Sequence, residues 1–220
     1  MTISMKHLLL LLPLLAVFFI SCTANDSAAQ PVYDTENHEL TSQESYYVLP
    51  AEQGTADAGT GDGLKMIGTY RPCNSFVGQE PGELGDPVRF LPLNESYSEE
   101  KVLASTNVKV GFHVITPCIE GMYWHIDGGA GIGGAPRGSV AVGKNEGESW
   151  PIPLPPAFAF RIERHDDGGP TKGYKLVSCA DKAGPCRDLG LYSSKGKTWL
   201  AVSNSPFVVV FKKKSRHVFA

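Results

Sequence analysis

Apolar positions along this chain recur with a period of two in short runs, and helical spacing is scarce. Val108-Lys109-Val110-Gly111-Phe112-His113-Val114 alternates apolar with polar or small residues, as a half-buried strand does. Runs rich in β-branched and aromatic residues are read as strands. These are Tyr46-Tyr47-Val48-Leu49, Pro87-Val88-Arg89-Phe90, Val108 to Ile115, Tyr123-Trp124-His125-Ile126, Phe158 to Ile162, Tyr174 to Val177, Trp199 to Val202 and Phe207 to Phe211. Between them cluster Gly, Pro, Asn and Asp, and 24 glycines and 16 prolines suit many tight connections. The pattern predicts an all-β barrel or sandwich. Gly54 to Gly63 and Gly128 to Pro156 read as loops, the second long and elaborated. Strand cores near Tyr47, Phe112 and Phe160 give a hint of repetition.

One apolar run differs from the rest. Leu8 to Ile20 is interrupted only by Pro13 and follows Lys6 and His7. It is too short to span a bilayer and suits the core of a signal peptide. Residues 1–24 are therefore expected to be a leader, with cleavage after Ala24 or as late as Ala29. Export predicts a secreted, extracellular or vacuolar protein with no membrane contact once the leader is gone. Roughly 190 residues remain, which suits one domain over 30–214 and a short tail over 215–220.

Charge and cysteine content narrow the picture. A formal net charge of −3 argues against a nucleic-acid partner, and the basic cluster Lys212, Lys213, Lys214 and Arg216 reads as a solvated tail. Cys22 leaves with the leader, so Cys73, Cys118, Cys179 and Cys186 remain, an even number in an exported chain. No C-x-x-C occurs, so disulfides are favoured over a metal site. Four cysteines allow three pairings. The short separation of Cys179 and Cys186 favours pairing them, and Cys73 with Cys118. The loop-entropy relation gives roughly 2.5 kcal/mol for the small loop and roughly 4 kcal/mol for the large one.

Catalytic signals are few. Gly129-Ala130-Gly131-Ile132-Gly133-Gly134 fits a phosphate-loop string, but Ala135-Pro136 argues against the helix such a loop needs. Asp34-Thr35 is followed by Glu36, so it is not an aspartic-protease signature. No G-x-S-x-G, H-E-x-x-H or P-loop occurs. His125 reads as a packed strand histidine rather than a general base. No enzyme, cofactor, catalytic residue or metal ligand is expected.

A family resemblance enters here. Val32-Tyr33-Asp34-Thr35-Glu36-Asn37-His38-Glu39-Leu40, followed by Tyr46-Tyr47-Val48-Leu49-Pro50-Ala51, resembles the N-terminal signature of plant Kunitz (soybean-trypsin-inhibitor type) inhibitors. The likeness continues through Asp86-Pro87-Val88-Arg89-Phe90, Ser105-Thr106-Asn107-Val108, Trp124-His125-Ile126-Asp127, Ala159-Phe160-Arg161-Ile162-Glu163, Tyr174 to Cys179, Asp188-Leu189-Gly190 and Val208 to Lys213. It is most similar to the cereal α-amylase/subtilisin inhibitor branch. The resemblance implies a β-trefoil, a six-stranded barrel with a hairpin cap in three pseudo-repeats. It also implies the pairings Cys73–Cys118 and Cys179–Cys186. Asn37 replaces the usual Gly or Asp, and Asn tolerates left-handed backbone, so the turn is expected to survive.

The resemblance implies an inhibitor of a hydrolase, acting as a monomer. Its first surface is a substrate-like loop, here Leu91-Pro92-Leu93-Asn94-Glu95-Ser96-Tyr97. The residue filling a protease pocket would be Asn94, or Leu93 in the neighbouring register, with Glu95 beyond it. Neither is cationic, so a trypsin-type pocket is disfavoured and a subtilisin-like one preferred. Asn94-Glu95-Ser96 is also a glycosylation sequon, which makes Asn94 a candidate glycan acceptor. Ser42 stands where the trypsin-inhibiting branch braces the loop with Asn. The second surface is the amylase-contacting face of the cereal branch, to which Ser105, Lys175 and Asp188 correspond. His165 and Phe207 stand there for Tyr, and Ser205 for Glu. The alternative is a storage, binding or stress protein that kept the fold and lost the loop.

Overall fold

A computed structural model describes residues 29–51, 61–68, 76–93, 100–115, 122–129, 134–143, 156–166, 173–179 and 184–215. The leader, Gly54 to Thr60, Cys73, Cys118, Asn94 and Glu95 lie outside these residues. Twelve strands follow in order: β1 Tyr46–Pro50, β2 Leu64–Ile67, β3 Phe76–Gln79, β4 Val88–Pro92, β5 Asn107–Phe112, β6 Tyr123–Ile126, β7 Val140–Gly143, β8 Phe160–His165, β9 Gly173–Ser178, β10 Arg187–Ser194, β11 Lys197–Val202 and β12 Val208–Lys213. Among the described residues one 3-10 turn, Pro156–Phe158, precedes β8.

Six strands close a ring. β1 pairs with β4, β4 with β5, β5 with β8, β8 with β9, β9 with β12, and β12 with β1, all antiparallel. The other six form three hairpins, β2–β3, β6–β7 and β10–β11. β3 links them by pairing with both β11 and β7. Each third of the chain supplies two barrel strands and one hairpin, so the architecture is the expected β-trefoil.

Period-two alternation explains the closure. Val108, Val110 and Phe112 of β5 point inward, while Lys109, Gly111 and His113 take the alternate positions. Val48, Phe90, Val110, Phe160, Ile162, Leu176 and Phe211 are buried and fill the barrel. Phe90 meets Phe211 edge to face with centroids 5.2 Å apart. Leu64, Val77, Val140, Leu189 and Leu200 belong to the same core and come from the hairpins.

Local chemistry sets the corners. Asn37 has φ 63°, as the sequence led us to expect. Asp34 supports that turn: its Oδ1 accepts from the Glu36 and His38 N–H groups, both at 2.9 Å. The β10–β11 hairpin turns on Lys195 and Gly196, at φ 51° and 73°. That pair of left-handed residues is the two-residue turn whose twist matches the flanking strands.

Some expectations need correcting. Gly128 to Pro156 is not one loop, because β7 lies inside it and pairs along β6. Val140-Ala141-Val142 is too short an apolar run to stand out among glycines, yet Val140 is fully buried. β2, β3 and β10 likewise lie outside the β-branched and aromatic runs that predict strands. The run beginning at Val108 ends as strand at Phe112, and Ile115 is fully exposed. The residues after Gly134 form a turn and then β7, with no helix to make a phosphate loop. His125 packs against Phe158 at 5.2 Å between centroids, and burial holds its pKa below the ordinary histidine value.

Candidate functional site

Two surfaces follow from the frame. The first is the stem of the loop leaving β4. Its entry is fixed where the Leu93 N–H donates to the Asn107 carbonyl at 2.9 Å. Its exit is fixed where the Ser42 N–H donates to the Glu100 carbonyl at 2.7 Å. Gln43 adds a side-chain bond to Glu100 Oε1 at 2.6 Å. Thr41 bridges Lys101 in antiparallel fashion, and the Lys101 ammonium meets Glu39 at 2.7 Å. Ser42 therefore holds the loop through its main chain, a contact its short side chain does not limit. Leu93 is half-buried at the entry, while Asn94 and Glu95 are outside the described residues.

The second surface surrounds β9. In the β8–β9 register Lys175 lies opposite Glu163. The Lys175 Nζ donates to Asp188 Oδ1 at 2.8 Å and lies 3.5 Å from Glu163 Oε2. The hydrogen bond to Asp188 outweighs the opposing desolvation and, with both carboxylate charges, holds the lysine pKa above its ordinary value. The triad carries one positive and two negative charges, a net of −1. It is only partly solvent-exposed, each side chain retaining between 25% and 31% of its accessibility.

Backbone contacts extend this face. Ser105, at φ 61°, donates its N–H to the Ile162 carbonyl at 2.8 Å, next to Glu163. The Ser203 N–H donates to the Asp188 carbonyl at 2.9 Å, and the Phe207 N–H to the Leu189 carbonyl at 2.8 Å. Ser205 is folded back by its N–H bond to Ser203 Oγ at 3.0 Å. Cys179 and Cys186 are disulfide-bonded and join the end of β9 to the start of β10. Thus Lys175 and Asp188 touch directly, and Ser105 joins them through the strand that carries Glu163. Glu163 belongs to this face although nothing in its sequence context marks it. Only the β8–β9 register, not chain distance, reveals it. Cys73 and Cys118 lie outside the described residues.

The chain and its fold have known counterparts. A family profile described as trypsin and protease inhibitor, of the legume Kunitz type, matches residues 32–213. The chain is 42% identical over 215 residues to an α-amylase/subtilisin inhibitor of Oryza sativa subsp. japonica, covering 96% of each chain. It is 38% identical over 188 residues to the α-amylase/subtilisin inhibitor of Hordeum vulgare, covering 83% of this chain and 85% of that one. The solved structure of the rice bifunctional α-amylase/subtilisin inhibitor superposes with a TM-score of 0.64 at 37% identity, over 85% of this chain and all of that one. The matched relatives are inhibitors, not enzymes. With barrel, hairpins and order of signature residues all in agreement, the chain belongs to the plant Kunitz family of trypsin and protease inhibitors.

Proposed function

We propose that this protein is a secreted inhibitor of subtilisin-like serine proteases, with the β9 face as a second surface for an α-amylase. The observation that carries the protease reading is the doubly fastened stem of the β4–β5 loop. A segment fixed at Leu93 and at Glu100 loses little entropy on entering an active site. In the register that puts Leu93 rather than Asn94 at the pocket position, Leu93 suits an apolar protease pocket, and the absence of Arg or Lys at either position disfavours a trypsin-like one. The rice and barley relatives, named for both activities, support the pairing of targets.

For the second surface, the Lys175 triad and the neighbouring disulfide provide a pre-set polar patch. Glycosidase clefts are lined by carboxylates, so Lys175 would exchange part of its bonding from Glu163 and Asp188 to the enzyme. The Asn94 sequon favours the storage or binding alternative, because a glycan there would cover the loop.

The deciding experiment titrates glycan-mapped protein against subtilisin, chymotrypsin, trypsin and a cereal α-amylase. Stoichiometric loss of subtilisin activity with trypsin spared is the expected result. If all four enzymes stay fully active with inhibitor in excess, the inhibitory reading fails for these targets and the storage reading takes its place.

A further inference from the structure

A cationic group on the barrel wall lies outside both surfaces. Arg89 of β4 stands opposite Gly111 of β5, so no side chain of β5 faces it directly. Its diagonal neighbours on that face are Lys109 and His113, a separation of about 7–8 Å in an antiparallel pair. Lys109 caps the Tyr123 ring with its ammonium 3.3 Å from the centroid. His113 is held in place: its N–H donates to the Pro87 carbonyl at 2.7 Å, and its Nδ1 lies 2.7 Å from Ser45 Oγ. The Ser45 carbonyl accepts the Lys214 N–H at 2.8 Å, which brings the end of β12 to the same place.

Two observations mark this group as holding donors and charges without a counterpart. The Arg89 Nε–H is buried without an acceptor. Among the described residues, no carboxylate forms an ion pair with Arg89, His113 or Lys214. Glu44, beside Ser45 in the chain, has its carboxylate on Lys213 at 3.4 Å. Burial first, then the Arg89 and Lys214 charges, hold the His113 imidazole below the ordinary histidine range.

We propose that Arg89, His113 and Lys214 form a binding site for a tetrahedral oxyanion of the phosphate or sulfate class. The two Nη groups of the guanidinium supply N–H donors matched to two oxygens of such an ion. In the tautomer whose Nδ1 accepts from the Ser45 hydroxyl, Nε2 of His113 carries the proton and is a further donor. Lys214 adds a second positive charge at the rim.

The test uses the mature protein in chloride buffer at constant ionic strength. Inorganic phosphate and inorganic sulfate are titrated separately while the His113 ring is followed by NMR. A saturable shift and a raised His113 pKa are expected. Saturation by one ion alone assigns the site to that class. Arg89→Gln is expected to weaken binding by about tenfold or more, as loss of a charge-assisted fork does. Lys214→Ala is expected to weaken it less and provides the reading if Arg89→Gln fails to fold. Both variants should inhibit proteases and amylase as the parent does. A response that never saturates, or wild-type affinity in folded Arg89→Gln or Lys214→Ala protein, would overturn the site.

Discussion

Lys175 shows how a residue's meaning depends on its neighbours. Its position alone makes it a cation on a face. Its partners Asp188 and Glu163 make it the centre of a net-negative, preorganised triad. Lys175→Ala should weaken α-amylase inhibition by roughly tenfold or more while leaving subtilisin inhibition intact, as loss of a charged anchor does. Full retention of amylase inhibition would count against this face. The loop gives a matching prediction. Of Leu93→Arg and Asn94→Arg, the one that creates trypsin inhibition marks the residue that fills the pocket, and inhibition by neither would refute the substrate-like mode. His125 gives a pH prediction. Its folded-state pKa is depressed by burial, so the unfolded chain binds the proton first. Stability should therefore fall as pH drops from about 6.5 toward the lower folded value. His125→Gln should flatten that part of a melting-temperature profile between pH 7 and pH 5; an unchanged slope would assign it elsewhere.

Elements show where legibility in the sequence ended. β1, β4, β5, β6, β8, β9, β11 and β12 were legible because each carries a run of β-branched or aromatic residues. β2, β3, β7 and β10 were not, because their apolar runs are short or interrupted, as by Lys65 in β2, Gly78 in β3 and Gly190 in β10. Gly78 of β3 illustrates the point. A Cβ there would lie 2.1 Å from the Thr198 carbonyl oxygen of β11, so only glycine permits the two hairpins to approach. Gly78→Ala should cost roughly 1–3 kcal/mol, a typical overpacking penalty. Gly196→Ala, in open space at φ 73°, should cost only about 1 kcal/mol from backbone strain. Denaturant melts of the two variants would test the ranking, and a reversed order would contradict the close approach of β3 and β11.

At the scale of the whole molecule, the Cys179–Cys186 bond staples β9 to β10 beside the Lys175 triad. Replacing both cysteines by serine should lower stability by about 2–3 kcal/mol. Amylase inhibition should suffer more than subtilisin inhibition, because the loop stem lies on other strands; equal losses would show that the staple acts globally. The sequence by itself determined the all-β class, the family and the Cys179–Cys186 pair, because these follow from periodicity, ordered signatures and short separation. It also offered the loop after β4 and the positions Ser105, Lys175 and Asp188 as candidates. Tertiary structure alone decided that Glu163 completes the Lys175 triad, that Ser42 holds the loop through its main chain, and that Arg89, His113 and Lys214 share one place. The physical reason is the closed ring. Pairings such as β1 with β12 and β5 with β8 join residues far apart in the chain, and only register says which side chains then face each other.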